Sequence, residues 1–256
     1  MSDIPLRQRS STEIVDAAFQ IFRREPLQFI AASALIYVPW LVLQLLIGVN
    51  IDPGIRPTTN QIIVSLIGSL VVYTFAGGVT SILASDVYLD RPTDLGRAFR
   101  TVAARAVPLA GAVIISSFFI GIGLMLLFVP GFYALARFFA VKQGVVLENR
   151  STIEALSRSS HLSVDTKRHI LGTLILVGLL IAAVSFGAQI GVTMIPTRIA
   201  QITLLHAISA ILYPFFGITE TVLYYDMRIR KEGFDVEHLA SLGPAGGVAP
   251  APATSV

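Results

Sequence analysis

Six stretches of the chain are apolar over roughly 17 to 27 residues, about the length that an α-helix needs to cross the hydrocarbon core of a bilayer. They cover residues 27–49, 61–85, 107–128, 131–147, 169–195 and 199–225. Charged residues make up only 14% of the 256-residue chain and hydrophobic residues 54%, whereas a soluble domain is about 25% charged. This pattern predicts an all-α integral membrane protein with six transmembrane helices, and excludes a disordered chain, a coiled coil and a disulfide scaffold.

The basic residues predict the orientation of these helices. Of the 19 Lys and Arg, 15 flank the stretches on one side, 2 (Arg56 and Arg198) on the other, and Arg137 and Lys142 fall inside the fourth stretch. Cytoplasmic loops carry the excess of Lys and Arg in multi-pass proteins. We therefore predict that the N- and C-termini are both cytoplasmic, and attribute the basic charge to topology rather than to nucleic-acid binding.

Each predicted cytoplasmic connection contains a short amphipathic segment. Ser10 with Glu13 and Ser151 with Glu154 fit a capping box, which satisfies the first backbone N–H groups of a helix. A looser start lies at Thr93 and Asp94. The first segment has an apolar stripe, which we assign to Val15, Ala18, Phe19 and Phe22. Such helices either lie in the headgroup region of the membrane or simply connect the transmembrane helices.

Three regions follow from this reading. Residues 1–26 form a cytoplasmic N-terminal segment with an amphipathic helix, 27–225 a six-helix transmembrane domain, and 226–256 a cytoplasmic C-terminal segment. From about residue 241 the sequence contains only small residues, leucine, valine and proline without charge. Such a composition supports neither a core nor a transmembrane helix, so this end is predicted to be disordered.

Residue patterns for catalysis are missing from the sequence. There are no cysteines and only four histidines, whose spacing fits no metal site. Neither a Gly-x-Ser-x-Gly elbow, a His-Glu-x-x-His motif nor a phosphate-binding loop is present. We predict a protein that is not an enzyme and needs no cofactor.

Polar residues within the apolar stretches are the better indication of a site, because they are costly in the membrane. Counted along a continuous helix, Arg137 lies nearer the midplane than the surface, and His206 in the sixth stretch lies at a similar depth. Gln189 in the fifth stretch is another possible partner. Arg137 either ties helices together or, with His206 and Gln189, binds an anionic ligand such as a lipid headgroup.

A second group of charged residues gathers where the stretches meet the cytoplasm. It contains Asp86, Glu148, Arg158, Glu220, Asp226 and Arg228. Opposite charges at one level are typical of a network that fixes the ends of helices, and less often of a binding site. We predict the network and leave the binding site as the alternative.

Three segments resemble a known bacterial family. They are STEIVDAAF (11–19), VVLE (145–148) with EALSRS (154–159) and HL (161–162), and LYYDMRIRKEGFD (223–235). They are similar to the six-span membrane domain that is fused to some glycerophosphodiester phosphodiesterases and also occurs alone. The resemblance implies an α-helical protein of the bacterial inner membrane. It implies no catalysis, because the phosphodiesterase activity belongs to a separate barrel whose His-Arg-Gly start is missing from this chain.

These observations favour a non-enzymatic inner-membrane protein of the cell envelope that acts as a scaffold or associates with lipids. The alternative is a small transporter or lipid-translocating protein that uses the region of Arg137. Membrane lipids are the expected partners, with a membrane protein or a second copy as further possibilities. Gly187-x-x-x-Gly191 allows close helix contact, which we expect within the helix bundle before a dimer.

Overall fold

The computed structural model describes residues 5–48 and 56–241. Within these ranges the chain folds into eleven α-helices without a β-strand, which confirms the all-α class. In chain order they are α1 (Ser11–Arg24), α2 (Pro26–Leu46), α3 (Thr59–Tyr88), α4 (Leu95–Ala104), α5 (Ala106–Leu127), α6 (Val129–Arg137), α7 (Val141–Val146), α8 (Thr152–Leu162), α9 (Lys167–Val192), α10 (Arg198–Glu232) and α11 (Phe234–Ser241). Val49, the predicted end of the first stretch, and residues 242–256, predicted to be disordered, lie outside the described residues.

Five of the described helices are long and apolar enough to cross a membrane, namely α2, α3, α5, α9 and α10. Large apolar side chains on them are exposed, among them Leu46, Leu127 and Phe186. A surface of this kind is stable in lipid and costly in water. The helices indicate a multi-pass membrane protein, but the predicted count of six transmembrane helices is not confirmed.

The difference arises in the fourth predicted stretch, 131–147, which is not one helix. α6 ends at Arg137 and α7 begins at Val141. The side chain of Ser159, from α8, lies at this break: its Oγ donates to the Arg137 carbonyl at 2.9 Å and accepts from the Ala140 N–H at 3.0 Å. Buried backbone groups need such partners, so the hydroxyl replaces bonds that a continuous helix would make.

α5 and α6 form a tight hairpin. A Cβ on Gly123 would lie 2.6 Å from the backbone nitrogen of Gly131, so only glycine allows the two helices to approach this closely. Phe128 makes the turn with a φ of +56°, a conformation in which a bulky side chain is strained. The hairpin therefore depends on its glycines and stores strain at its tip.

The buried core lies at one end of the long helices. Residues 76–88 of α3, 217–227 of α10 and all of α7 are buried, whereas most residues between 178 and 191 of α9 are exposed. The short helices α1, α4 and α8 pack at the same end. The molecule is thus densely packed where the charged residues gather and more open at the opposite end.

The short helices start as predicted. Both capping boxes, at Ser10 and at Ser151, are present, and Asp94 caps α4. The buried face of α1 differs from the predicted stripe: it consists of Ile14, Ala17, Ala18 and Ile21. Phe19 is 52% exposed. α1 packs on α9 and α10 through this buried face, which leaves the bulky Phe19 on the outer side of the helix. The predicted position of α1 in the headgroup region is not confirmed.

The glycines of the fifth stretch do not make the contact that their spacing favours. Gly187 and Gly191 are exposed on α9, and no atom of the residues that the structure describes lies within 4 Å of a Cβ built on either of them. The expectation of contact within the bundle is therefore wrong. Self-association through this face stays a prediction.

Candidate functional site

The structure does not bring Arg137, His206 and Gln189 together. Arg137 lies at the end of α6, where its Nε donates to Ser160 Oγ of α8 at 3.0 Å. His206 instead pairs with Gln44 of α2, with 2.7 Å between His Nε2 and Gln Oε1. Gln189 is exposed on α9. The predicted depth of Arg137 assumed a continuous fourth helix, but the break after α6 places Arg137 beside α8, at the end that holds the charged residues.

Arg137 borders a groove of about 630 Å³ between α5, α6 and α8. One wall is apolar and runs from Ile115 to Leu126 on α5, roughly 16 Å along the helix axis. The polar side chains that line the groove are Ser157, Ser160, Tyr133 and Arg137. An apolar groove beside a guanidinium suits a lipid, because the apolar wall can contact an acyl chain and the guanidinium can bind an anionic headgroup.

The guanidinium of Arg137 is available for such a headgroup. Its side chain is exposed and, among the described residues, has no carboxylate within ion-pair distance. Its Cζ lies 5.6 Å from the ring centre of Phe138. A second cation is close to the same groove, because Lys167 Nζ lies 5.0 Å from the ring centre of Tyr133. Positive charge is therefore concentrated at this part of the groove.

Glu148 is the centre of the predicted charge network. Its carboxylate accepts from Arg158 at 2.8 Å, from Arg150 at 2.5 Å and from the Tyr224 hydroxyl at 2.6 Å. Burial opposes ionisation of Glu148, but the hydrogen bonds from Arg158, Tyr224 and Arg150 outweigh it and lower its pKa from the ordinary 4.5. The carboxylate therefore remains charged and holds α8 against α10.

The network extends along α10 through Glu232. Arg158 forms an ion pair with Glu232, which raises the pKa of Arg158, and Arg228 binds the same carboxylate at 3.0 Å. Arg228 also lies over the Phe234 ring, 4.2 Å from its centre. Glu148, Arg158 and Arg228 thus belong to one connected group.

Asp226 lies in a separate cluster. It is fully buried and accepts from the backbone N–H of Arg9 at 2.7 Å, from His169 Nε2 at 3.1 Å and from Arg230 Nε at 2.7 Å. Arg230 also donates to the carbonyl of Arg9 at 2.6 Å. Asp226 therefore fastens the segment before α1 to α9 and α10, which is a structural role.

Asp86 and Glu220 also lie outside the Glu148 group. Asp86 forms an ion pair with Arg97 of α4. Glu220 pairs with Lys142, whose Nζ lies 2.6 Å from Glu220 Oε2 and 3.1 Å from the Tyr73 hydroxyl. Gly77 makes room for Lys142, since a Cβ there would lie 3.0 Å from its Cδ. The sequence interpretation missed this pair, although opposite charges within two apolar stretches were a signal for it.

Comparison with known proteins gives no relatives. No protein-family model, curated protein or solved structure matches this chain. The resemblance to the membrane domain of glycerophosphodiester phosphodiesterases therefore stays a prediction.

Proposed function

We propose that the chain is a non-enzymatic, multi-pass protein of the bacterial cytoplasmic membrane that associates with an anionic lipid. The observation that carries the proposal is the groove between α5, α6 and α8, which combines an apolar wall with the exposed guanidinium of Arg137. The apolar wall suits an acyl chain, and the planar guanidinium suits the oxygens of a phosphate or carboxylate.

The proposed orientation fits this lipid. The 15 basic residues on one side favour cytoplasmic termini, and α8, which borders the groove, belongs to the same side. Anionic lipids of the cytoplasmic leaflet attract basic residues by about 1 kcal/mol each. Arg137 and Lys167 would therefore meet the headgroup, while the chain extends along α5 toward Leu126.

The lipid can be tested by native mass spectrometry of protein purified with its native lipids. Arg137→Met removes the charge and should strip the bound anionic lipid, whereas Arg137→Lys keeps the charge, loses the planar fork, and should retain part of it. Arg100→Met is the matched control, because Arg100 is exposed on α4, outside the groove. If Arg137→Met retains as much lipid as the unmodified protein, Arg137 only holds helices together and the proposal is overturned.

A second pair of variants tests the acyl-chain wall. Ile122 lines the groove and is 41% exposed, and Ile114 lies on the same helix, is 51% exposed and does not line it. Ile122→Trp should fill the groove and lower the amount of bound lipid, while Ile114→Trp should not. Equal lipid in the two variants would contradict binding in this groove.

A transporter or lipid-translocating protein is the second candidate. The break between α6 and α7 beside the buried Lys142 favours it, because broken helices form the central sites of many transporters. The cavity beside Lys142 and Glu220 measures only about 40 Å³, however, so the structure offers little room for a solute. A fluorescent phospholipid in proteoliposomes tests this function. Flipping of the phospholipid by the unmodified protein, and its loss in Arg137→Met, would support translocation.

A further inference from the structure

Two successive serines in the last turn of α8 hold Arg137 at two different points. Ser159 Oγ donates to the Arg137 carbonyl at 2.9 Å, and Arg137 Nε donates to Ser160 Oγ at 3.0 Å. The first bond fixes the backbone at the end of α6, and the second fixes the side chain. The position of the Arg137 guanidinium therefore depends on how α8 packs against α6.

The Ser160 hydroxyl is itself fixed in direction. It donates to the carbonyl of Leu156, one turn earlier in α8, at 2.8 Å. Its hydrogen is therefore engaged, and its lone pairs are left to accept from the guanidinium. Ser160 is half-buried and lines the groove between α5, α6 and α8 together with Arg137. The hydroxyl is thus a fixed acceptor at one edge of the guanidinium, with no hydrogen left to donate to a ligand.

The other edge of the guanidinium stays available. Of the residues that the structure describes, none accepts a hydrogen bond from Nη1 or Nη2 of Arg137. The ring of Phe138 lies beside the group, with its centre 5.6 Å from Cζ. Because Ser160 binds Nε, the long side chain is held before a ligand arrives, which lowers the entropy that binding costs. The two Nη groups therefore form a preorganised fork at the groove.

We infer that Ser160 positions this fork for the phosphate of a phospholipid, which rests on the lipid binding proposed above. A guanidinium that is bound at Nε can still donate two parallel N–H bonds from its Nη groups to two oxygens of one phosphate. A lysine ammonium at the same place would be a point charge without this fork. The site therefore suits a phosphate with two free oxygens, and Ser160 is a positioning residue that acts through Arg137.

Titration of the full chain in detergent with phosphatidylglycerol, followed by native mass spectrometry, measures this role. Ser160→Ala removes the fixed acceptor and should weaken binding about three- to tenfold. Ser160→Thr keeps a hydroxyl and should bind nearly as the unmodified protein does. Ser157→Ala is the matched control, because Ser157 is exposed and lines the same groove. If Ser160→Ala binds unchanged while Arg137→Met loses the lipid, Ser160 is not a positioning residue and the lipid function stands.

A double-mutant cycle with Arg137→Lys separates positioning from a general effect on the groove. Lysine lacks the Nε–H that Ser160 accepts, so Ser160→Ala should have no further effect on binding when it is combined with Arg137→Lys. Diacylglycerol, which has acyl chains but no phosphate, should bind equally to Ser160→Ala and to the unmodified protein.

Two results would show that Ser160 does not act through Arg137. One is equal weakening by Ser160→Ala with and without Arg137→Lys, and the other is weaker binding of diacylglycerol to Ser160→Ala. If the unmodified protein does not bind phosphatidylglycerol at all, the proposed lipid function is itself overturned.

Discussion

The ammonium of Lys142 and the carboxylate of Glu220 form an ion pair at 2.6 Å inside the helix bundle, where the two residues are only 2% and 4% exposed. The pair joins α7 to α10, with the Tyr73 ring against the ammonium at 4.2 Å from its centre. Charges at such a position are stable only as a pair, because each alone loses its hydration without compensation.

Removing one member of this pair should therefore cost more than removing both. Lys142→Met leaves Glu220 buried without its partner, and we expect the free energy of unfolding to fall by about 3–5 kcal/mol. Lys142→Met combined with Glu220→Leu should recover most of that loss. The measurement is denaturant unfolding in mild detergent, arranged as a double-mutant cycle. If the loss in the double variant equals the sum of the losses in the two single variants, the two residues do not interact.

The break between α6 and α7 should depend on one hydroxyl. Ser159→Ala leaves the Arg137 carbonyl and the Ala140 N–H without the Ser159 partner, and a buried unsatisfied group costs about 1–3 kcal/mol. We expect a decrease of that size in the free energy of unfolding. Ser157→Ala, at an exposed position on the same helix, should change it by less than about 0.5 kcal/mol. Equal effects of the two substitutions would contradict this role of Ser159.

Acid should weaken the contact between α8 and α10 at Glu148. Its pKa is lower in the folded protein than the ordinary 4.5, so its contribution to stability is complete above that value and is lost as the pH falls through the folded-state pKa. Glu148→Gln should lower the free energy of unfolding at pH 7 by about 1–3 kcal/mol. In this variant the free energy of unfolding should also fall less in acid than in the unmodified protein.

Unfolding curves between about pH 7 and 3 measure this difference. Asp16→Asn, at an exposed position on α1, is the control and should keep the pH dependence of the unmodified protein. If the free energy of unfolding falls equally in acid in the unmodified protein and in Glu148→Gln, other carboxylates cause the decrease.

Reporter fusions test the proposed orientation. A fusion after Pro57 lies in the connection between α2 and α3, and one after Leu239 lies in α11. Because the basic residues place these positions on opposite sides, a periplasm-active reporter should give a signal at Pro57 and a cytoplasm-active reporter at Leu239. The same location for both fusions would contradict cytoplasmic termini.

Local features of this fold could be predicted from the sequence, and distant pairings could not. The capping boxes at Ser10 and Ser151 involve residues three positions apart, so the sequence alone indicates them. The break after Arg137 depends on Ser159, 22 positions further along the chain, and nothing between residues 137 and 141 forbids a helix. The partner of Glu220 is likewise far away, in α7.

The same distinction applies to the candidate sites. Arg137 could be selected because a lone arginine in an apolar stretch is unusual, but its neighbours depend on how α6 turns toward α8. A cavity of about 230 Å³ at the packed end of the molecule is lined by Arg91, Arg97 and Arg228, and Arg228 is more than 130 positions away from the other two in the chain. Charge patterns predict that basic residues share one side of the membrane, but not which of them enclose a cavity.

The hydrogen bonds of Ser159 have a consequence for how the protein is made. α8 leaves the ribosome after α6 and α7, so the backbone groups at Arg137 and Ala140 are made before the hydroxyl that satisfies them exists. Until then the segment can satisfy them as a continuous helix or remain at the aqueous surface. We therefore expect the fourth stretch to reach its final shape after it has been translated, when α8 packs against it, and not when the stretch inserts into the membrane.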